Sequence, residues 1–206
     1  MTPYAALDRG LGEMALELPR GARERLLDYV ALLAKWNRTY NLTAIRDPVA
    51  MVPHHLLDSL SVLAHLPLAV AQARLADAGS GAGLPGIPLA IARPGWQVTL
   101  AEASQKKAAF LRQAAIELQL DNVEVHEGRV EAWHPQPLFD LVISRAFAAL
   151  SDFIAACRHL VSPRGVLAAM KGAAPQDQPA DCSLIRLRVP LLEAQRHLVL
   201  CPASSP

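Results

Sequence analysis

The chain has 206 residues, 52% of them hydrophobic, with 20 basic against 19 acidic side chains and a formal net charge of +1. That length fits one domain with a short appendage, and no apolar run is long enough to span a bilayer. The near-neutral balance excludes a generally polybasic nucleic-acid binder, so any RNA-binding face must be a local patch.

The amino terminus lacks the basic-then-apolar pattern of a secretory signal. Residues 1–70 read as a helical region. Leu26, Leu27, Val30, Leu33 and Ala34 recur at helical spacing and form one apolar stripe. KWNRTYNLT, residues 35–43, closes that helix with asparagine and threonine turn chemistry. Asp47 and Pro48 open the next helix as cap and first residue, and Pro53 falls inside or splits it.

Residues 71–206 alternate strand and helix as one compact unit. Strands are expected at 74–78, 97–102, 122–126, 139–143 and 165–170, with helices at 84–92, 104–119 and 151–160. This order predicts a mainly parallel sheet covered on both faces. Leu184–Val189 and Arg196–Leu200 read as a closing antiparallel hairpin, and the proline-rich stretch 172–182 as a loop. Cys157, Cys182 and Cys201 are widely spaced, with no C-x-x-C pair. They read as reduced packing residues of a cytoplasmic protein.

The segment LADAGSGAGLPG, residues 75–86, carries the most information. It reads as a strand, a glycine-rich turn and a helix start, where Gly79, Gly81 and Gly83 allow positive φ and leave room for a ligand against the backbone. Asp77 stands at the strand's carboxyl end, where open α/β sheets bind ligands. A carboxylate there repels a pyrophosphate and welcomes an ammonium group, which points to S-adenosylmethionine. Gly81, Gly83 and Gly86 also satisfy the dinucleotide G-x-G-x-x-G spacing, so an NAD-dependent oxidoreductase is the rival reading. Glu102 ends the second strand about 20 residues later, where an acidic residue can accept both ribose hydroxyls. Its alternative is a helix-start carboxylate beside Ser104.

KWNRTYNLT, HHLLDS, DAGSGAGLPGIPLA, GRVEAW and FDLVISRAF, in this order and spacing, closely resemble the RsmG (GidB) family. These are the bacterial 16S ribosomal RNA guanine-N7 methyltransferases, also called glucose-inhibited division protein B. The resemblance runs from about residue 23 to RHLV at 196–199. It implies a cytoplasmic methyltransferase with a Rossmann-like α/β fold, a helical amino-terminal extension and S-adenosylmethionine as cofactor. It further implies 16S ribosomal RNA as partner, free or within the assembled small subunit, and a monomer. By the same resemblance Gly79 and Leu84 match loop contacts with the cofactor, and Val130 and Glu131 the pair near the adenine. Arg145 matches an arginine at the mouth of the site. Arg129, Lys171 and Arg196 match basic positions facing cofactor carboxylate or RNA, with His55 a further RNA-face candidate. One departure is His54, where the family pattern has arginine; a phosphate contact made there would become pH-dependent.

Several devices are missing from the sequence. The slot after the fourth strand reads Ser144-Arg145-Ala146-Phe147, not the Pro-Pro-aromatic turn of exocyclic amine methylation. No cysteine follows a proline, as cytosine-C5 chemistry would need. Guanine N7 requires neither device, since it already presents an in-plane lone pair, so no catalytic general base is expected. His54, His55 and Asp58 could share a helix face as metal ligands, but no third cluster accompanies them and no metal is expected. Lys106, Lys107 and Arg112 read as a solvated face more than an RNA contact. Trp36 and Tyr40 could stack on bases or lie partly buried. A non-catalytic RNA- or ribosome-associated module that retains the fold is the other alternative.

Overall fold

In the computed structural model, residues 1–67, 72–145, 147 and 149–203 are described; the expected boundary at 70/71 and Ala146 lie outside them. Seven strands form one sheet: β1 Arg74–Ala78, β2 Gln97–Glu102, β3 Val123–Glu127, β4 Phe139–Ser144, β5 Val161–Lys171, β6 Ser183–Leu187 and β7 Arg196–Pro202. The order is β3-β2-β1-β4-β5-β7-β6. The pairs among β1 to β5 are parallel, whereas β7 runs antiparallel to both β5 and β6. The expected α/β sheet with its closing hairpin is therefore the observed one. It departs from the dinucleotide-binding order, in which a sixth strand follows β5 directly.

Strand residues alternate between two cores, as a period of two demands. Leu75, Leu100, Leu141, Ile143 and Leu198 face one cluster, and Ala76, Ala78, Val142, Leu167 and Val199 the other. Helices α5 (Gly86–Ala92) and α6 (Gln105–Glu117) cover the first face, together with α1 (Pro3–Glu13) and α2 (Ala22–Tyr40). Helix α7 (Leu150–Cys157) covers the second. The stripe expected on α2 is buried at Leu26, Val30 and Leu33.

Asp47 caps α3 (Pro48–Met51), its carboxylate accepting from the N–H groups of Val49 and Ala50 at 3.1 and 3.3 Å. Pro53 neither ends nor splits the helix. A π-helical turn, Val52–Leu57, carries the chain into α4 (Asp58–Leu60), and the Asp58 N–H bonds the Pro53 carbonyl. Wide turns of this kind recur at functional sites, and this one presents His54, His55 and Asp58.

The cysteines correct the sequence reading. Cys157 is free and buried, but Cys182 and Cys201 form a disulfide. The β6–β7 register explains it: Ser183 lies opposite Leu200, so the next pair outward is Cys182 and Cys201. No helix among the described residues is long and apolar enough to cross a membrane.

Candidate active site

The turn after β1 is built by backbone hydrogen bonds. The N–H groups of Gly79 and Ser80 donate to the Ala101 carbonyl of β2 at 2.9 and 3.0 Å, and the Ser80 hydroxyl donates to the Asp77 carbonyl at 2.8 Å. Gly79, Gly81 and Gly83 all hold positive φ, at 72, 58 and 88°. Their roles differ. A Cβ at Gly81 would meet only the Gly79 oxygen at 3.9 Å, whereas one at Gly83 would overlap Ile87 and touch Leu111. Gly81 therefore leaves open space above the turn, and Gly83 lets the turn pack on α5 and α6. Tyr29 of α2 locks this piece from beneath, its buried hydroxyl donating to the Ala82 carbonyl at 2.8 Å.

Asp77 has no exposed surface, and its Oδ2 accepts from the Gly86 N–H at 2.9 Å. The expected ligand carboxylate thus also latches the turn to α5. Burial pushes its pKa up to about 7, against the lowering effect of that hydrogen bond and of the nearby Arg145 charge. Its Oδ1 is buried and has no partner among the described residues. Glu102 is 8% exposed at the end of β2 and takes the helix-start role considered for it. Its Oε2 accepts from the Gly81 N–H and its Oε1 from the Ser104 N–H, each at 2.8 Å. The Gly128 N–H donates to the Glu102 carbonyl at 3.1 Å, which sets the following turn with Val130 beside the acid. Val130 is buried there, Glu131 is exposed, and Leu84 is buried.

A second group gathers at the carboxyl ends of β4 and β5. A cavity of about 400 Å³ is lined by Thr43, His54, His55, Asp58, Arg145, Lys171 and Arg196, among others. Four of the five RNA candidates meet here; Arg129 does not line this cavity and stands exposed at the start of the Val130 turn. Asp58, which sequence reasoning considered only as a metal ligand, is the centre of the group. It is 1% exposed, and its two oxygens accept from Arg145 at 2.9 Å and from Arg196 at 3.1 Å. Arg145 also donates to the His54 carbonyl at 3.1 Å. Lys171 donates to the Phe147 carbonyl at 2.7 Å, and burial lowers its pKa. Two guanidinium groups thus share one buried carboxylate, and Lys171 lines the same open cavity.

His55 stands in that field. Its Nε2 bonds the Thr43 hydroxyl at 2.9 Å, and burial, then the Arg145 charge, pull its pKa down to about 4. It is neutral at physiological pH. His54 contributes a backbone carbonyl and part of the cavity wall.

The residues present fit S-adenosylmethionine. Orphaned Oδ1 of Asp77 suits a ligand ammonium group or a bridging water, the space over Gly81 suits close backbone approach, and Glu102 suits a ribose diol. Sheet order, glycine turn and acidic β2 terminus together define an α/β methyltransferase that uses S-adenosylmethionine. A solved methyltransferase of that class from Aquifex aeolicus has the same fold, at a TM-score of 0.57 with 16% identity, covering 85% of this chain and 98% of that one. The family model described as rRNA small subunit methyltransferase G (GidB) matches residues 22–196. Relatives named ribosomal RNA small subunit methyltransferase G are 53% identical in Methylobacillus flagellatus, over 96% of this chain and 97% of the relative, and 51% identical in Burkholderia thailandensis, over 96% and 90%. The chain belongs to the rRNA small subunit methyltransferase G family.

Proposed function

We propose that this chain methylates N7 of a guanine in 16S ribosomal RNA, in the cytoplasm, as a monomer acting on the RNA free or within the assembled small subunit. The observation that carries this reading is the cavity at the ends of β4 and β5. It gathers Arg145, Lys171 and Arg196, and Arg145 follows two residues after Ile143 of β4, which pairs with Asp77 of β1.

Bound S-adenosylmethionine supplies an electrophilic methyl group. Asp77, Gly79, Gly81, Gly83 and Leu84 hold its amino-acid end, Glu102 its ribose, and Val130 with Glu131 its adenine. Arg145 and Arg196 keep N–H donors beyond those that Asp58 takes, and with Lys171 they attract RNA phosphate into the cavity. Arg129 contributes from the outer rim. His55, held neutral, shapes the guanine pocket without repelling a base whose N7 must stay unprotonated. The residues align the nitrogen and exclude water, and none has to remove a proton from it. Mapping N7-methylguanosine in small-subunit RNA with and without the gene tests this reading. One guanine should lose its methyl group on deletion, and an unchanged modification pattern overturns it.

A further inference from the structure

Tyr40 and Trp36 are one helical turn apart at the end of α2. Their rings stack, with centroids 5.1 Å apart and planes at 30°. Trp36 in turn leans on buried Phe110 of α6, at 5.5 Å. The inner ring is thus anchored in the core, while Tyr40 is 44% exposed. A ring held rigid from one side offers its other face for stacking.

Its neighbourhood points to the ligand. Immediately past Tyr40, Asn41 adopts a left-handed conformation and turns the chain towards the cavity. Thr43, Ala44 and Ile45 line that cavity. Three residues span at most roughly 11 Å. That is about three nucleotides of stacked strand at roughly 3.4 Å each. Lys35, Arg38 and Arg46 on the same stretch are exposed, and among the described residues none of them forms an ion pair. The nearby acid, Asp47, is engaged in capping α3. With a net charge of only +1, an unpaired local excess of cations is where phosphate recognition must concentrate.

We propose that Tyr40 is a stacking platform for an unpaired nucleotide within about three of the target guanine, with Lys35, Arg38 and Arg46 holding the flanking phosphates. This rests on the cavity beyond Thr43 being the guanine site. Exposed bases of single-stranded RNA are recognised by stacking on aromatic rings, because every base has a π-face. The stack on Trp36 fixes the Tyr40 ring before RNA arrives, so little side-chain freedom remains to be lost on binding.

The test uses small ribosomal subunits purified from a strain lacking the gene, with radiolabelled S-adenosylmethionine. Tyr40→Ala should raise the KM for subunits about tenfold or more, with the KM for S-adenosylmethionine unchanged. Tyr40→Phe and Tyr40→Trp should stay close to wild type. Tyr40→Leu, which still covers Trp36 but offers no flat ring, should behave like Tyr40→Ala. Tyr4→Ala, at an exposed tyrosine of α1, should have no effect. A subunit KM for Tyr40→Ala within about twofold of wild type overturns the proposal, and so does a Leu variant that matches Phe. Should Tyr40→Ala fold poorly, the Leu and Phe variants decide alone. A wild-type protein that transfers no methyl group either to these subunits or to naked 16S RNA from the same strain overturns the parent reading, and this one with it.

Discussion

On the β1–β2 side of the cleft, polar groups are held by the backbone; on the β4–β5–β7 side, they are held by one another. Gly79, Ser80 and Gly81 donate their N–H groups to β2 and to Glu102, while Asp77 accepts from Gly86. These bonds are short-range consequences of one strand pairing, and they stand whatever occupies the cleft. Across the cleft, Arg145, Arg196 and Asp58 come from three distant parts of the chain and meet around one carboxylate. The first arrangement suits a ligand of fixed shape, for which conformation is the requirement. The second suits a polyanion, because guanidinium groups held by one shared carboxylate keep spare donors and can turn to phosphate.

Removing the shared carboxylate should break the second side and spare the first, and it is the largest effect expected here. In Asp58→Asn two guanidinium groups lose their counter-charge in a site where the carboxylate was 1% exposed. Breaking a buried pair from one side costs about 3–5 kcal/mol, and the arginines, 27% and 23% exposed, place this case at the lower end. An unfolding free energy lowered by roughly 3 kcal/mol, read as a lower urea midpoint at unchanged slope, is expected, together with loss of RNA methylation. S-adenosylmethionine binding measured by calorimetry should survive. A variant as stable as wild type would show that the triad contributes no net stability.

The glycines sharpen the comparison from the other side, with a smaller effect on the fold. Gly81→Val places a side chain at φ 58° in otherwise open space, so the strain is roughly 1–2 kcal/mol. The variant should fold and lose S-adenosylmethionine affinity at least tenfold, since the new side chain fills the ligand's space. Gly83→Val carries the same strain and also collides with Ile87 and Leu111, so it should lose stability more than Gly81→Val does. Undiminished cofactor affinity in a folded Gly81→Val protein would remove the cofactor from this turn.

How far the sequence foretold these two sides follows from the same contrast. Glycine spacing encodes backbone conformation locally, so the turn, Glu102 at the end of its strand and the strands around them were legible. Asp58 was not, because its partners lie 87 and 138 residues away and no local pattern marks a carboxylate that will be shared. Pro53 pointed to an interruption, but a π-helical turn depends on how the helix packs beneath α1 and α2. The Cys182–Cys201 bond was missed because pairing depends on the β6–β7 register, which turn length alone does not fix. For Trp36 the partial burial considered is what the structure has, whereas Tyr40 is exposed and base stacking there is our proposal.

The smallest expected effect is in the pH profile of the wild-type protein, where one titrating group from each side opposes the other. Folding lowers the His55 pKa from 6.5 to about 4, so between those values the unfolded chain binds a proton that the folded chain does not. Stability from His55 therefore rises with pH across that window. Folding raises the Asp77 pKa from 3.8 to about 7, so there the folded chain holds the extra proton, and stability from Asp77 falls as pH rises. Each shift corresponds to roughly 3–4 kcal/mol, and the windows nearly coincide, so the wild-type profile should be close to flat from about pH 4 to 6.5. His55→Gln removes the rising contribution, and its stability should decline across the same range when followed by urea midpoints. A slope that His55→Gln leaves unchanged would mean that His55 is not held as described. The same depressed pKa bears on the chemistry. His55 does not titrate between pH 6 and 8, so single-turnover methyl transfer at saturating S-adenosylmethionine should show no His55-dependent limb there. A steep rise with pH that vanishes in His55→Ala would bring a general base into the mechanism, and alignment alone would no longer account for the reaction.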